Sequence, residues 1–156
     1  MASDYPLIDG HKYDHSSIEL QASTSEGSPR IFDAVSEISY GQALSPGVVR
    51  GTLSQPLAFT QGKLEPGEGS LTMPKEDLQD LRDTLGDGYM ALPFTVTINY
   101  SSYGSATITD TLIGVRVTND ETTSSADDEG AVMDTVSIKY LYGTRGGKAP
   151  VPNMLR

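Results

Sequence analysis

The chain of 156 residues contains no cysteine. Without thiols it cannot form a disulfide scaffold, a thiolate zinc site or a cysteine nucleophile. It also lacks any apolar run close to the roughly 20 residues that a membrane-spanning helix requires. The first residues, MASDYPLIDGHKYDHSS, have no cationic start and no apolar segment, so they do not resemble a secretory signal. We therefore expect a soluble protein of a reducing compartment with no membrane association.

Positive charge is scarce as well. The chain has 11 lysines and arginines against 21 acidic residues, which gives a formal net charge of −10. A protein that grips nucleic acid through its phosphates needs clustered cations, so this balance argues against such binding. It is compatible with a surface along which nucleic acid passes without adhering.

Histidine occurs only at His11 and His15. Their spacing would suit zinc on one face of a helix, but the segment has no helical pattern and no third ligand. We interpret residues 1–16 as a flexible N-terminal arm. With no histidine elsewhere and no GxSxG motif, no positioned base is evident. We expect no catalytic residue, cofactor or metal; the open alternative is a hydrolase that uses loop carboxylates such as Asp127 and Asp128.

Three segments with a period of two dominate the second half of the chain. Residues 107–118 alternate between two faces and are rich in β-branched side chains, which is typical of a strand. Residues 93–103 and 132–142 show the same pattern on either side. The short glycine-centred link at residues 103–105 predicts a hairpin. We predict a three-strand antiparallel meander over residues 93–142, with a long polar and acidic loop at residues 119–130 between its second and third strands.

One helix is predicted at residues 74–85, where Leu78, Leu81 and Leu85 recur at helical spacing. Pro74 suits the first turn and Gly86 suits the end. Residues 30–44 fit either a strand or a helix, and the surrounding pattern favours a strand. We predict a single β-barrel or β-sandwich domain over residues 17–142 with the helix packed on it. An extended tail over residues 143–156 completes the chain.

Three motifs carry a resemblance to a known family. They are G-T-x-x-x-P-L-x-x-T-x-G at residues 51–62, TDTLIGVR at residues 109–116 and the terminal GGKAPVPNMLR. Together with the order of elements, they resemble the tail tube proteins of bacteriophages, which are similar to the tubes of type VI secretion systems and phage-like injection particles. The resemblance covers residues 30–155.

The resemblance implies a mainly β, antiparallel sandwich or barrel with one packed helix. It implies a structural virion protein that self-assembles into hexameric rings, which stack into a hollow tube for DNA ejection into the host cell. The expected partners are other copies of the chain, tape-measure, baseplate and terminator proteins, and in some tails a sheath. DNA would pass without specific binding, and the tail would be assembled in the bacterial cytoplasm. The alternatives are the tube of a type VI-like or phage-derived injection particle, a tail terminator and a decoration protein.

A contact between subunits is predicted at residues 43–52. A loop exposed to solvent rarely contains so many apolar side chains. Pro46 and Gly47 predict a sharp reversal of the chain at a hairpin tip. The alternative is that Val48 and Val49 begin a core strand. On the contact interpretation, the apolar side chains would project outward, and the cation Arg50 beside them could pair with acids of a neighbouring copy, including those on the face of the helix. The predicted contact residues are Leu44, Pro46, Val48, Val49, Arg50, Asp77, Asp80 and Asp83.

Overall fold

The computed structural model describes residues 18–24, 30–32, 35–101, 106–124, 130 and 132–152. These contain twelve strands and one helix. The elements are β1 (Ile18–Ser23), β2 (Arg30–Phe32), β3 (Glu37–Gly41), β4 (Leu44–Ser45), β5 (Val48–Arg50), β6 (Pro56–Phe59), β7 (Lys63–Leu64), β8 (Gly67–Pro74), α1 (Lys75–Leu85), β9 (Phe94–Tyr100), β10 (Ile108–Thr123), β11 (Met133–Tyr140) and β12 (Tyr142–Thr144). Several residues weighed above lie outside the described ones: His11, His15, Tyr103, Asp127, Asp128 and Glu129.

An antiparallel sheet forms the body of the molecule, with strands in the order β2-β1-β9-β10-β11-β8-β3 and with β12 added beside β10. The predicted meander is confirmed, because β9, β10 and β11 are neighbours at the centre of this order. The prediction of a mainly β fold with one helix is also confirmed. The described residues of the stretch 30–44 form β2, β3 and the first residue of β4 rather than a helix, as the surrounding pattern favoured.

Strand β10 is unusually long, at 16 residues, and its two halves have different partners. The first half pairs with β9 and β12, and the second half pairs with β11. The register with β9 breaks between Leu112 and Val115, where Gly114 has a φ of 72°. Because of this break, Asp110, Leu112, Val115 and Val117 are all buried on one side. The single alternation expected through residues 107–118 is therefore wrong beyond Gly114.

The sheet curls, so that strands far apart in this order come close together. β2 and β3 lie at opposite ends of the strand order, yet only residues 33–36 separate them in the chain. The hydroxyl of Tyr40 on β3 lies 2.6 Å from that of Tyr100 on β9, across the interior. The result is the sandwich or barrel that the alternating pattern predicted.

The core is one cluster of buried side chains from both halves of the curled sheet and from the helix. On α1, Leu78 and Leu81 are buried and Leu85 is partly buried, as the leucine spacing predicted. Burial of each leucine contributes about 1.5–3 kcal/mol, so these contacts hold the helix on the sheet. The buried apolar residues are Leu20, Ala22, Phe32, Leu71, Met73, Leu78, Leu81, Phe94, Val96, Ile98, Leu112, Val115, Val117, Val136, Ile138 and Tyr140.

The ends of the helix follow from its sequence. Pro74 precedes the first helical residue, and Gly86 ends the helix with a φ of 77° and donates its N–H to the carbonyl of Arg82 at 2.8 Å. The predicted acidic loop at residues 119–130 is wrong at its start. β10 continues through Thr123, because residues 119–123 pair with β11. No helix in the described part of the chain is long and apolar enough to cross a membrane.

Candidate functional site: a projecting arm and an acidic helix

Residues 43–66, here called the arm, leave the body between β3 and β8. β4 pairs with β7 near the base, and β5 pairs with β6 farther out, so the arm is a long two-stranded hairpin. Every residue of the arm except Leu64 is exposed. The arm therefore has no core of its own and does not contribute to that of the body.

The chain reverses direction at residues 51–55, between β5 and β6, and not at Pro46 and Gly47 as predicted. Gly47 and Thr60 face each other across the arm. The Thr60 N–H donates to the Gly47 carbonyl at 2.8 Å, and the Gly47 N–H donates to the Thr60 hydroxyl at 2.9 Å. Pro46 has no N–H to add to the ladder, so it interrupts the strand without turning the chain back.

Large apolar side chains on the arm face solvent. Val48 and Val49 are 47% and 43% exposed, which contradicts the alternative that they begin a core strand. Phe59 on the opposite strand is 72% exposed. Exposed apolar groups that are close together commonly mark a contact surface. The full set on the arm is Leu44, Val48, Val49, Leu53, Leu57 and Phe59.

Arg50 lies beside these side chains at the end of β5 and is exposed. No carboxylate in the described part of the chain lies within ion-pair distance of it. The arm thus presents a cation together with an apolar surface.

One side chain fixes the base of the arm. The amide nitrogen of Gln42 donates to the carbonyl of Glu65 at 3.1 Å and to that of Leu141 at 3.4 Å. Its amide oxygen accepts the N–H of Gly143 at 3.2 Å. Gln42 therefore joins both strands of the arm base to the junction between β11 and β12.

The predicted acidic partner residues lie on α1. Asp80 and Asp83 are exposed, and Asp77 is half-buried in the first turn. β8 begins directly after the arm and ends directly before α1, and its eight residues span about 23 Å. The base of the arm and the start of the helix therefore lie at opposite ends of one strand.

The inner side of the helix carries an ion cluster that sequence reasoning missed. Arg82 donates to Asp120 on β10 at 2.7 and 3.2 Å and to Asp134 on β11 at 2.7 Å. Thr122 donates to Asp134 at 2.6 Å, and Tyr89 donates to Asp120 at 2.6 Å. This cluster ties α1 to two strands. The one signal in the sequence is a lone arginine among the acids of the helix.

Asp134 is fully buried, and its pKa reflects two opposing effects. Burial alone would raise the pKa of its carboxyl group. Hydrogen bonds from Thr122 and Arg82, together with the charges of Arg82 and Lys75, outweigh burial and lower the pKa below the ordinary value of 3.8. Asp134 is therefore ionised and fully paired, which is the arrangement of a structural clamp rather than of a catalytic acid.

A second polar cluster holds the segment after β12. Asp110 is buried and accepts hydrogen bonds from the Tyr40 hydroxyl and, at 2.9 Å, from the Gly146 N–H. The Arg145 guanidinium lies 4.5 Å from the centre of the Tyr40 ring. Burial, followed by the hydrogen bond to Asp110, raises the pKa of Tyr40 far above its ordinary value of 10.0. These groups also serve packing, since each is satisfied by a neighbour.

The described residues offer little to a ligand. They contain no group of three or more histidine and acidic side chains arranged to hold a metal ion. An open groove of about 450 Å³ lies at the base of the arm and is lined by Pro66, Pro93, Leu141 and their neighbours. No nucleophile is paired with a base among the described residues that line it.

Comparison with known proteins now bears on this arrangement. No family model matches the sequence, and no curated protein matches it. Solved structures do match. The tail tube of SPP1 has 10% identity and a TM-score of 0.65, with 88% of this chain and 81% of that chain covered. The chain has the tube-protein fold.

Two further structures extend the comparison beyond phage tails. One is a sheath–tube complex of an extracellular contractile injection system, PVC, in its extended state, with 10% identity, a TM-score of 0.64 and coverage of 91% and 96% of the two chains. The other is a type six secretion system protein, with 12% identity, a TM-score of 0.56 and coverage of 86% and 90%. The resemblance stated from the sequence motifs is thus confirmed at the level of the fold.

Proposed function

We propose that this chain is a structural tube subunit rather than an enzyme. Copies form hexameric rings, and the rings stack into a hollow conduit that delivers DNA into a host cell. The observation that carries the proposal is the arm: a tube-protein fold bears an exposed apolar hairpin that its own body does not use. An injection particle that carries a different cargo would use the same subunit architecture.

The placement of the two surfaces supports stacking. The arm and the acidic helix lie at opposite ends of β8, so a contact between them joins unlike ends of two copies. A head-to-tail contact of this kind repeats without limit unless it closes into a ring. In the proposal, Leu44, Pro46, Val48 and Val49 provide the apolar part of the contact. Arg50 meets the helix acids Asp77, Asp80 and Asp83.

The charge of the chain supports a DNA cargo. With a net charge of −10, the assembled tube repels phosphates at short range, so DNA passes without being retained. The proposed partners at the tube ends and around it are tape-measure, baseplate, terminator and sheath proteins. The subunit would be assembled in the bacterial cytoplasm and would function in the tail of the particle.

Replacement of residues 44–49 by a Gly/Ser linker tests the arm. We expect a folded, soluble chain by circular dichroism that forms no tubes by negative-stain electron microscopy. Since the arm lies outside the core, unfolding of the variant would contradict its assignment as a contact element. Normal-length tubes would contradict the contact itself. If the unmodified chain gives isolated rings under all conditions, a tail terminator is the better assignment.

A charge exchange tests the ion pairs. Arg50→Glu should weaken assembly, and a second change of Asp80→Arg should restore it in part, because each new charge meets its opposite across the contact. Lys63→Glu is the matched control, since Lys63 is a cation of the arm outside the predicted contact. Equal losses from Arg50→Glu and Lys63→Glu, without rescue, would show that only the net charge of the arm matters.

A further inference from the structure

The chain reverses sharply just after β12, at residues 145–148, here called the β12 turn. The Arg145 N–H donates to the Lys148 carbonyl at 3.0 Å, and the Lys148 N–H donates to the Arg145 carbonyl at 2.9 Å. Between them, Gly146 and Gly147 have φ values of 57° and 80°. Two successive residues in this left-handed region make the tight two-residue turn that is typical of hairpins.

The β12 turn is attached to the interior of the body. The buried carboxylate of Asp110 accepts the Gly146 N–H at 2.9 Å, and it also accepts the Tyr40 hydroxyl. Asp110 lies on β10, and Tyr40 lies on β3. One carboxylate therefore joins the turn to two strands that belong to different parts of the curled sheet.

The side chain of Arg145 holds β3 from the same turn. Its guanidinium donates to the Tyr40 carbonyl at 3.2 Å and lies 4.5 Å from the centre of the Tyr40 ring. Two residues farther along the chain, Gln42 makes the hydrogen bonds to the start of β12 that are described above. β3 pairs with β8 along one edge only, and these contacts lie away from that ladder.

The arm begins directly after the part of β3 that the turn holds. The ladder of β3 with β8 ends at Gly41, two residues before the arm. The next backbone bond, from the Glu65 N–H to the Ala43 carbonyl at 2.9 Å, joins the two strands of the arm to each other and not to the body. The direction of the arm therefore depends on side-chain contacts at its base.

We propose that the β12 turn is a latch for the arm. While Arg145 holds β3 and Gly146 is bound to Asp110, the arm keeps one direction. When these contacts break, β3 stays in its ladder with β8, but the arm is free to swing. A surface already held in the orientation of its contact loses less conformational freedom on binding, so the closed latch favours assembly. This consequence for assembly rests on the proposed function, whereas the latch itself does not.

The absence of cysteine from the chain permits a direct test with two spin labels. Ser54→Cys, at the exposed turn of the arm, and Thr84→Cys, at an exposed position of α1, carry the labels. Double electron–electron resonance measures the distribution of distances between them. Labelled chains are diluted with unlabelled protein below the concentration at which copies assemble, so the distances are those within one copy.

Two variants open the latch. Arg145→Ala removes both contacts with Tyr40, and Gly146→Pro removes the N–H that Asp110 accepts. Arg145 is exposed, so its replacement should leave the body folded, as circular dichroism would check. Lys148→Ala is the matched control. Lys148 is an exposed cation of the same turn, and its side chain has no hydrogen bond or ion pair with a described residue.

We expect the distance distribution to broaden at least about twofold in Arg145→Ala, because the base of the arm then samples several directions. Gly146→Pro should broaden it further, and Lys148→Ala should leave it unchanged. If Gly146→Pro does not fold, Arg145→Ala decides the question. An unchanged distribution in Arg145→Ala, or equal broadening in Lys148→Ala, would overturn the latch and leave the proposed function intact.

Assembly provides the second measurement. If the arm of Arg145→Ala has the orientation of its contact in only about one third of the chains, the concentration required for half-assembly rises about threefold. Broadening without any rise in this concentration would overturn the role of the latch in assembly. Failure of the unmodified chain to form tubes or rings would overturn the proposed function, while the distance measurement on single copies would still decide whether the latch exists.

Discussion

The body and the arm of this molecule differ in how their apolar and charged side chains are buried and paired. In the body, most large apolar residues are buried or partly buried, and the buried acids Asp110 and Asp134 are hydrogen-bonded within the chain. In the arm, valine, leucine and phenylalanine side chains face solvent, and the cation Arg50 has no described acidic partner. Both parts consist of antiparallel strands paired by backbone hydrogen bonds. The difference supports the proposal that the arm serves a contact that a single copy does not contain.

The largest effect on stability is expected from a charge beneath the helix. Leu81→Asp places an unpaired carboxylate in the core and should cost at least about 4 kcal/mol, enough to unfold most of the chain. Denaturant unfolding measures the loss. Leu81→Met is the control, because it keeps an apolar side chain of similar volume. Unchanged stability of Leu81→Asp would mean that the leucine stripe is not buried.

The next effect concerns the ion cluster under the helix. Arg82→Leu removes the main partner of the buried Asp134 and should cost about 3 kcal/mol in the free energy of unfolding. Lys75→Leu should cost far less, since Lys75 is 3.8 Å from Asp134 and half exposed. A second change of Asp134→Leu in the Arg82→Leu background should recover part of the loss. If the double variant is no more stable to unfolding than Arg82→Leu alone, an uncompensated buried charge is not the cause of the loss.

Acid should weaken the same cluster. Because the folded state lowers the pKa of Asp134 below 3.8, its contribution is present above that pH and is lost as the pH falls below it. Urea unfolding between about pH 6 and pH 3 should therefore show a steeper loss in the unmodified chain than in Asp134→Asn. Parallel curves for the two chains would assign the acid sensitivity to other carboxylates.

The smallest effect on stability is expected from the arm. Phe59→Ser removes an apolar side chain that is 72% exposed, so the free energy of unfolding should change by no more than about 0.5 kcal/mol. Tube formation should fall in the same variant, as sedimentation would measure. A loss of stability above about 1.5 kcal/mol would show that the arm packs on its own body.

Local pattern was enough to predict much of the body. The helix with Leu78 and Leu81, and the buried faces of β9 and β11, follow from periods of 3.6 and 2 that neighbouring residues impose. The break at Gly114 was not predicted, because a single residue in a left-handed conformation leaves no trace in the alternation before it. Between Gly114 and a second register shift after Val117, the side chains lie on the sides opposite to those expected.

The candidate site likewise has features that the sequence predicted and features that it did not. Apolar composition predicted an exposed element at residues 43–52, but the reversal lies several residues later, because Pro46 and Gly47 resemble a turn in sequence without forming one. The pairing of Arg82 with Asp134 joins residues 52 positions apart. Such a pair depends on how the helix is placed over β11, which no local pattern specifies.

The amide group of Gln42 helps to fix the angle at which the arm leaves the body. The tip of the arm lies roughly ten residues, or about 30 Å, from Gln42. A tilt of one degree at the base therefore moves the tip by about 0.5 Å. A contact that requires atoms to be placed within a fraction of an ångström therefore tolerates a change in the angle of the arm of only about one degree. In the proposed stack, the hydrogen bonds at the base of the arm would therefore affect how accurately successive copies are positioned, although they lie far from the proposed contact.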